Sequence, residues 1–336
     1  MNTHRFAPTR GRVLKVSALI TVGALVIAVA IFKFTSAPSL SGAQLAAQRA
    51  AGLSDVAAGN CVAAVALLRP VVAADPIDLT AKEGLGRCDT ALANYSAALH
   101  LLTQVASAQP NVSNQLALAA ADFDSGLLAS SQTALRSAIA HATLAPSFLT
   151  IAITAEGYGF YSLAFSALEH VSVRARTYAW YDTDSKVQLG LGNSGQAVAA
   201  ARAAVALAPS SVAGSMLADL ANAYVGAGQY ALAAHYYSAA LATKQPLNTS
   251  VVYSELAQCF LDLGQYPAAA DVARTGISVT TGVGRYSLLL TEATALSDMH
   301  QWSAATSVLH ELLRLPGLPQ DVQASAHALL NALHTP

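Results

Sequence analysis

The stretch Val225 to Ala242, VGAGQYALAAHYYSAALA, sets small and aromatic side chains at helical spacing. Leu220, Ala221 and Tyr224 precede Gly228, and Tyr230, Ala233, Tyr237 and Ala240 follow it. Apolar residues three and four apart on both sides of a glycine predict two amphipathic helices joined by a tight turn. With Gly214 as position 1, these residues fall at positions 7, 8, 11, 15, 17, 20, 24 and 27.

The same spacing recurs. Counting from Ser250, Leu256, Ala257, Phe260, Gly264, Tyr266, Ala269 and Ala273 repeat it, 36 residues on. From Tyr286, Ala293, Leu296, Trp302, Ala305, Leu309 and Leu312 repeat it again. Earlier copies start at Leu45, Leu79, Ala145 and Tyr178, and a degenerate copy near Ser113 keeps Ala120, Phe123 and Ile139. Eight units therefore follow one another at steps of 32 to 36 residues. This spacing resembles the tetratricopeptide repeat, a helix–turn–helix unit of about 34 residues. The resemblance is to its membrane-anchored bacterial form and covers roughly residues 45–316. It implies an all-α solenoid of about eight helix pairs.

In such a unit positions 8, 20 and 27 lie where paired helices come closest, and a larger side chain there would overpack the contact. Aromatics at 11, 17 and 24 are expected to fill the space beside them. Glycine at 15 ends the first helix in a left-handed conformation. No unit buries its apolar face alone, so neighbours must stack. After Pro316 and Pro319, Val322, Ala326, Leu329, Leu330 and Leu333 recur at helical spacing and predict a capping helix within 317–336.

The N-terminus has a different pattern. Residues 16–32, VSALITVGALVIAVAIF, run for 17 positions without a charge, flanked by Lys15 and Lys33. That length is at the short end for a transmembrane helix. Arg5, Arg10, Arg12 and Lys15 precede it, so the positive-inside rule keeps residues 1–15 cytoplasmic and puts the rest of the chain outside. A signal peptide would need cleavage near Thr35-Ser36-Ala37, but Pro38 follows directly, which favours an uncleaved single-pass anchor in the cell membrane. Residues 33–44 then read as a linker.

Composition changes this picture little. The chain of 336 residues is 54% hydrophobic and 11% charged, which excludes a disordered protein. The first 33 residues hold five of the 18 basic side chains and no acid, leaving 13 basic against 19 acidic, or about −6, for the rest. No basic stripe marks a nucleic-acid partner. No HExxH, GxSxG or GxxxxGK is present, so no catalytic residue, metal or small-molecule cofactor is implied. Asp122 and Asp124 faintly suggest a calcium loop but read better as solvated carboxylates at a helix end. Asp182 and Asp184 are expected to face solvent. Cys259 reads as a small buried residue. Cys61 and Cys88 fall near helix ends that should meet; a disulfide and two buried thiols are both compatible with that.

The resemblance places ligands against the concave face of the first helices. That face would carry Lys186, Asn222, Gln258 and Thr294 at position 9, Ser254 at position 5, and Asp262 and Asp298 at position 13. This ladder either binds a peptide backbone or is simply a solvated face. The expected function is a membrane-anchored extracytoplasmic scaffold that holds a protein or peptide partner, in cell-envelope assembly or secretion, and catalyses nothing. The alternative is an accessory part of an envelope polysaccharide synthesis or export machine, which an aromatic-lined groove would favour.

Overall fold

Eight positive-φ residues recur at steps of 33 to 36 and each separates two helices: Gly59, Ala93, Gly126, Gly159, Gly192, Gly228, Gly264 and His300. These are the turns expected at position 15. The left-handed conformation costs an L-residue roughly 1–2 kcal/mol, and Gly228 shows the advantage of glycine with φ 68°. Ala93 and His300, at φ 60° and 59°, adopt the same turn without it.

The computed structural model of the chain describes residues 41–245 and 248–334. The expected transmembrane helix at 16–32 lies outside the described residues, and among those no helix is long and apolar enough to cross a membrane. All regular elements among the described residues are helical.

The chain divides into two compact units, the boundary in sequence falling between Asn94 and Tyr95. The first contains α1 (Gly42–Ala58), α2 (Cys61–Ala74) and α3 (Leu79–Ala91). The second begins with α4 (Tyr95–Ala108), α5 (Val112–Asp124), α6 (Leu128–His141), α7 (Ala145–Gly157) and α8 (Tyr161–Glu169). It continues with α9 (Tyr178–Gly190), α10 (Ser194–Leu207), α11 (Ala213–Gly226) and α12 (Tyr230–Ala242). It ends with α13 (Thr249–Asp262), α14 (Tyr266–Val279), α15 (Val283–Asp298), α16 (Trp302–Leu313) and α17 (Gln320–His334).

In chain order the first sixteen helices alternate as first and second members of eight repeats. Helix α1 starts inside the stretch expected to be linker, because Ser41 accepts from the Gln44 amide and the Gln44 side chain accepts from the Ser41 amide. That reciprocal cap satisfies two otherwise orphaned donors.

Close packing follows the small residues. At position 20, Ala64, Ala98, Ala164, Ala197, Ala233, Ala269 and Ala305 are all fully buried. At position 8, Ala119, Ala152, Ala221, Ala257 and Ala293 are equally buried. Gly52 shows how tight this contact is: a Cβ there would lie 2.7 Å from the fully buried Leu68 side chain.

Two serines take the same positions and use their hydroxyls. Ser185 on α9 donates to the Ala197 carbonyl at 2.9 Å, and Ser131 on α6 donates to the Ala119 carbonyl at 2.8 Å. Ser131 also corrects the register of the degenerate copy. Its helix starts at Val112, so the repeat aligns on Ala119, Gly126 and Ser131, one residue earlier than the sequence pattern indicated. A serine in place of the usual alanine had concealed the match.

The aromatics behave less uniformly than expected. Tyr224 and Tyr237, at positions 11 and 24, are 1% exposed, whereas Trp302 at position 17 is 58% exposed. Position 17 opens the second helix beside the turn, where only one side of the ring meets protein. Buried tyrosine hydroxyls find partners, as burial requires. Arg202 Nε donates to Tyr224 at 2.8 Å, and Tyr286 donates to the Pro316 carbonyl at 2.6 Å. At the C-terminal end α17 covers the last pair: Ala326 and Leu330 join Tyr286, Leu289, Leu309 and Leu312 in one core.

Ala233 lies on the closest helix approach, with no exposed surface. Ala233→Leu is expected to destabilise the chain by about 1–3 kcal/mol through overpacking. An unchanged thermal midpoint would show that this contact has room to relax.

Candidate functional site

Four of the first helices, α9, α11, α13 and α15, carry the residues expected on the concave face. Lys186 on α9 is held between two carboxylates. Its Nζ lies 2.8 Å from Asp182 Oδ2 on the same helix and 3.5 Å from Asp219 Oδ2 on α11. Asp182 and Asp184 do not face solvent as expected. The Asp182 side chain is 15% exposed, with its Oδ1 buried and without a hydrogen-bond partner, and Asp184 is half-buried and accepts from Gln188 at 3.0 Å. The cause is the neighbouring first helix, which covers a face that one helix alone would leave open. Asp122 is likewise buried at the end of α5, so the solvated reading fails there too.

Asn222 stands one turn beyond Asp219 on α11 and is exposed, but it is not free: the Tyr237 hydroxyl from α12 donates to its side-chain oxygen. Burial, with the nearby charges of Glu255 and Asp219 adding to it, raises the pKa of that hydroxyl. On α13 Gln258 is exposed and donates to Asp262 Oδ1 at 3.0 Å. Ser254 and Glu255 are half-buried on the same helix. On α15 Thr294 spends its hydroxyl on the Leu290 carbonyl at 2.9 Å, and Asp298 is exposed in the last turn.

The structure therefore joins Lys186 to α11 and Gln258 to Asp262. The carboxylates of Asp182, Asp219 and Glu255, absent from the sequence-based set, complete the row. Asp219 and Glu255 share position 6, an acidic recurrence 36 residues apart that the sequence did display.

Burial raises the Asp219 carboxyl to about 6, the Asp182 charge pushing it the same way and Lys186 opposing. Burial raises Glu255 as well. Cys259, behind this row, is a buried free thiol pushed up to about 11 by burial and by Glu255. A thiol so far above neutrality is inert packing rather than a nucleophile. Among the described residues no group of three or more His, Cys, Asp or Glu could hold a metal ion.

In the first unit, Cys61 at the start of α2 and Cys88 near the end of α3 form a disulfide, with Cα atoms 4.8 Å apart. In the same unit Arg49 on α1 grips Asp78, the residue that caps α3, through Nε at 2.5 Å and Nη2 at 3.1 Å. That hydrogen bond holds the Asp78 carboxyl below the ordinary carboxylate range.

Residues 218–277, spanning α11 to α14, match the family model of the tetratricopeptide repeat. The second unit is a tetratricopeptide-like solenoid. Two solved structures share this fold. A tetratricopeptide repeat protein from Parabacteroides merdae superimposes with TM-score 0.56 at 14% identity, over 74% of this chain and 99% of that one. The human IFIT1 dimer with PPP-AAAA gives 0.53 at 16%, over 82% and 69%. The APC/C hetero-tetramer Cut9-Hcn1 gives 0.49 at 17%, over 82% of this chain, which spans about half (53%) of its length. At these identities the likeness is one of fold. No curated protein matches the chain in sequence. Tetratricopeptide scaffolds suit protein–protein interaction and are generally non-enzymatic.

The Asp219 carboxyl gives a pH signature. The folded chain keeps this proton up to about pH 6, whereas the unfolded group releases it near 3.8. Folding is therefore favoured by this group below about pH 4, and that contribution is lost as pH rises through 6. Asp182, Lys186 and Tyr237 are its charged or titratable neighbours. Asp219→Asn should flatten the pH dependence of urea unfolding between pH 4 and 7. A slope equal to wild type would show that Asp219 is solvated.

Proposed function

We propose that the chain is a membrane-anchored extracytoplasmic scaffold that holds a protein or peptide partner on the polar row of its solenoid, in cell-envelope assembly or secretion. The observation that carries this reading is the row itself. Asp182 and Lys186, then Asp219 and Asn222, then Glu255 and Gln258, stand about one turn apart on successive first helices, a spacing that puts each pair on one helix face. Carboxylates, an ammonium and amides at regular intervals suit the donors and acceptors of an extended backbone. A glycan-handling accessory would need exposed rings there, and the ring placed among these groups, Tyr237, is buried.

The localisation rests on the apolar run at 16–32 with its basic flank, and the Cys61–Cys88 disulfide suits an oxidising compartment. A periplasm-active reporter fused after Pro336 should be active and a cytoplasm-dependent one silent; the reverse pattern would refute the orientation.

The binding test has to respect the hydrogen bonds. Removing Asn222 would leave the buried Tyr237 hydroxyl unpaired, at about 1–3 kcal/mol, so that change confounds stability with binding. Glu255→Gln with Gln258→Ala avoids this. The pair should weaken partner capture from solubilised membranes at least tenfold while the melting temperature moves little. Undiminished capture would place the partner on another surface.

A further inference from the structure

The second helices of the repeats are 12 to 14 residues long, except α8, which has nine. Five missing residues relative to α6 and α10 remove about 7 Å of helix. The chain leaves α8 at Glu169 and passes through a short 3-10 turn, Val173–Ala175, before α9. A cavity of about 950 Å³ opens beside the shortened helix, walled by α6, α7, α8 and the end of α9. That volume is in the range of small-molecule sites.

Its walls differ from the polar row. Phe160 and Tyr161 are half-buried in it, and His170 stacks on Phe148 with ring centroids 4.8 Å apart. Tyr161 is fixed by close approach to backbone: a Cβ at Gly190 would lie 2.4 Å from its ring. No Asp or Glu lines the cavity, although the chain beyond residue 33 has an acidic excess. The one guanidinium in the lining, Arg136, is exposed, and its contact is a 3.3 Å bond to Gln132 on its own helix. Among the described residues no carboxylate lies within ion-pair distance of it.

We propose that this cavity binds a small aromatic carboxylate, the carboxylate on Arg136 and the ring against Phe160 and Tyr161. A planar guanidinium pairs with a carboxylate through two parallel hydrogen bonds, a geometry the single contact to Gln132 leaves unused. Ser162 and Ser166 add hydroxyls to the same wall. The site uses different residues from the polar row, so it stands or falls separately from the scaffold reading.

The test titrates 2-naphthoate, its neutral isostere 2-naphthamide, and D-glucuronate into the full chain in lipid nanodiscs by calorimetry, with the Arg136→Gln chain in identical nanodiscs as reference. Naphthoate should bind at least tenfold tighter than naphthamide, and Arg136→Gln should erase that difference. Ser166→Phe, which puts a ring into the cavity, should weaken naphthoate binding while leaving partner capture intact. The proposal is overturned if naphthoate gives no heat at millimolar concentration, if the amide binds equally, or if Arg136→Gln changes nothing. Glucuronate binding as tight as naphthoate would overturn it in favour of an acidic sugar.

Discussion

The fold depends on how closely two helices of a repeat can approach at positions 8 and 20. Alanine, glycine or serine occupies each of these positions, and the alanines there are fully buried. Dispersion forces are short-ranged, so contact at this separation is what lets such small side chains contribute to a core at all. An alanine-rich chain has few large residues to bury. It compensates by bringing backbones together and setting Tyr224 and Tyr237 in the space beside them. The serines keep the rule by a different means, bonding a carbonyl of the facing helix so that a polar atom can sit in the tightest place.

Function-bearing features arise where that packing leaves something over. First helices must lie side by side for second helices to pack behind them, so their outer faces become neighbours. Lys186 then reaches Asp219 across two helices, and each carboxylate loses water to the next repeat. Charges held there are partly desolvated and fixed in place, which favours recognition over solubility. The cavity beside α8 has the opposite origin. One second helix stops early, its neighbours do not move in to fill the gap, and aromatic rings with a guanidinium bonded only to Gln132 on its own helix line what remains.

The first unit is held differently. Its three described helices bury few large side chains, with Leu68 and Leu85 the leading ones. A small unit with a thin core gains most from a covalent link. Closing a loop of 27 residues is worth roughly 3–4 kcal/mol on chain-entropy grounds. The Arg49–Asp78 pair adds a hydrogen-bonded tie from α1 to the cap of α3.

Repeat number, helix phase and turn position were legible in the sequence because they depend on local rules. A helix has a fixed period, a left-handed turn favours glycine, and a close contact tolerates only small side chains. Those rules placed all eight repeat starts to within three residues of the helices found, and slipped the register by one residue in the third repeat, where Ser131 stands for alanine. The candidate site was legible only in part. Asn222, Gln258 and Lys186 share a position that can be counted along the chain. That Asn222 is taken by Tyr237, that Asp182 is covered, and that Asp219 joins the row depend on which side chains from other helices reach them. Burial and the pKa shifts that follow are sums over neighbours distant in sequence. The cavity was illegible for the same reason: a helix five residues short is a local event, but the space it opens is bounded by three other helices, and only their packing leaves it empty.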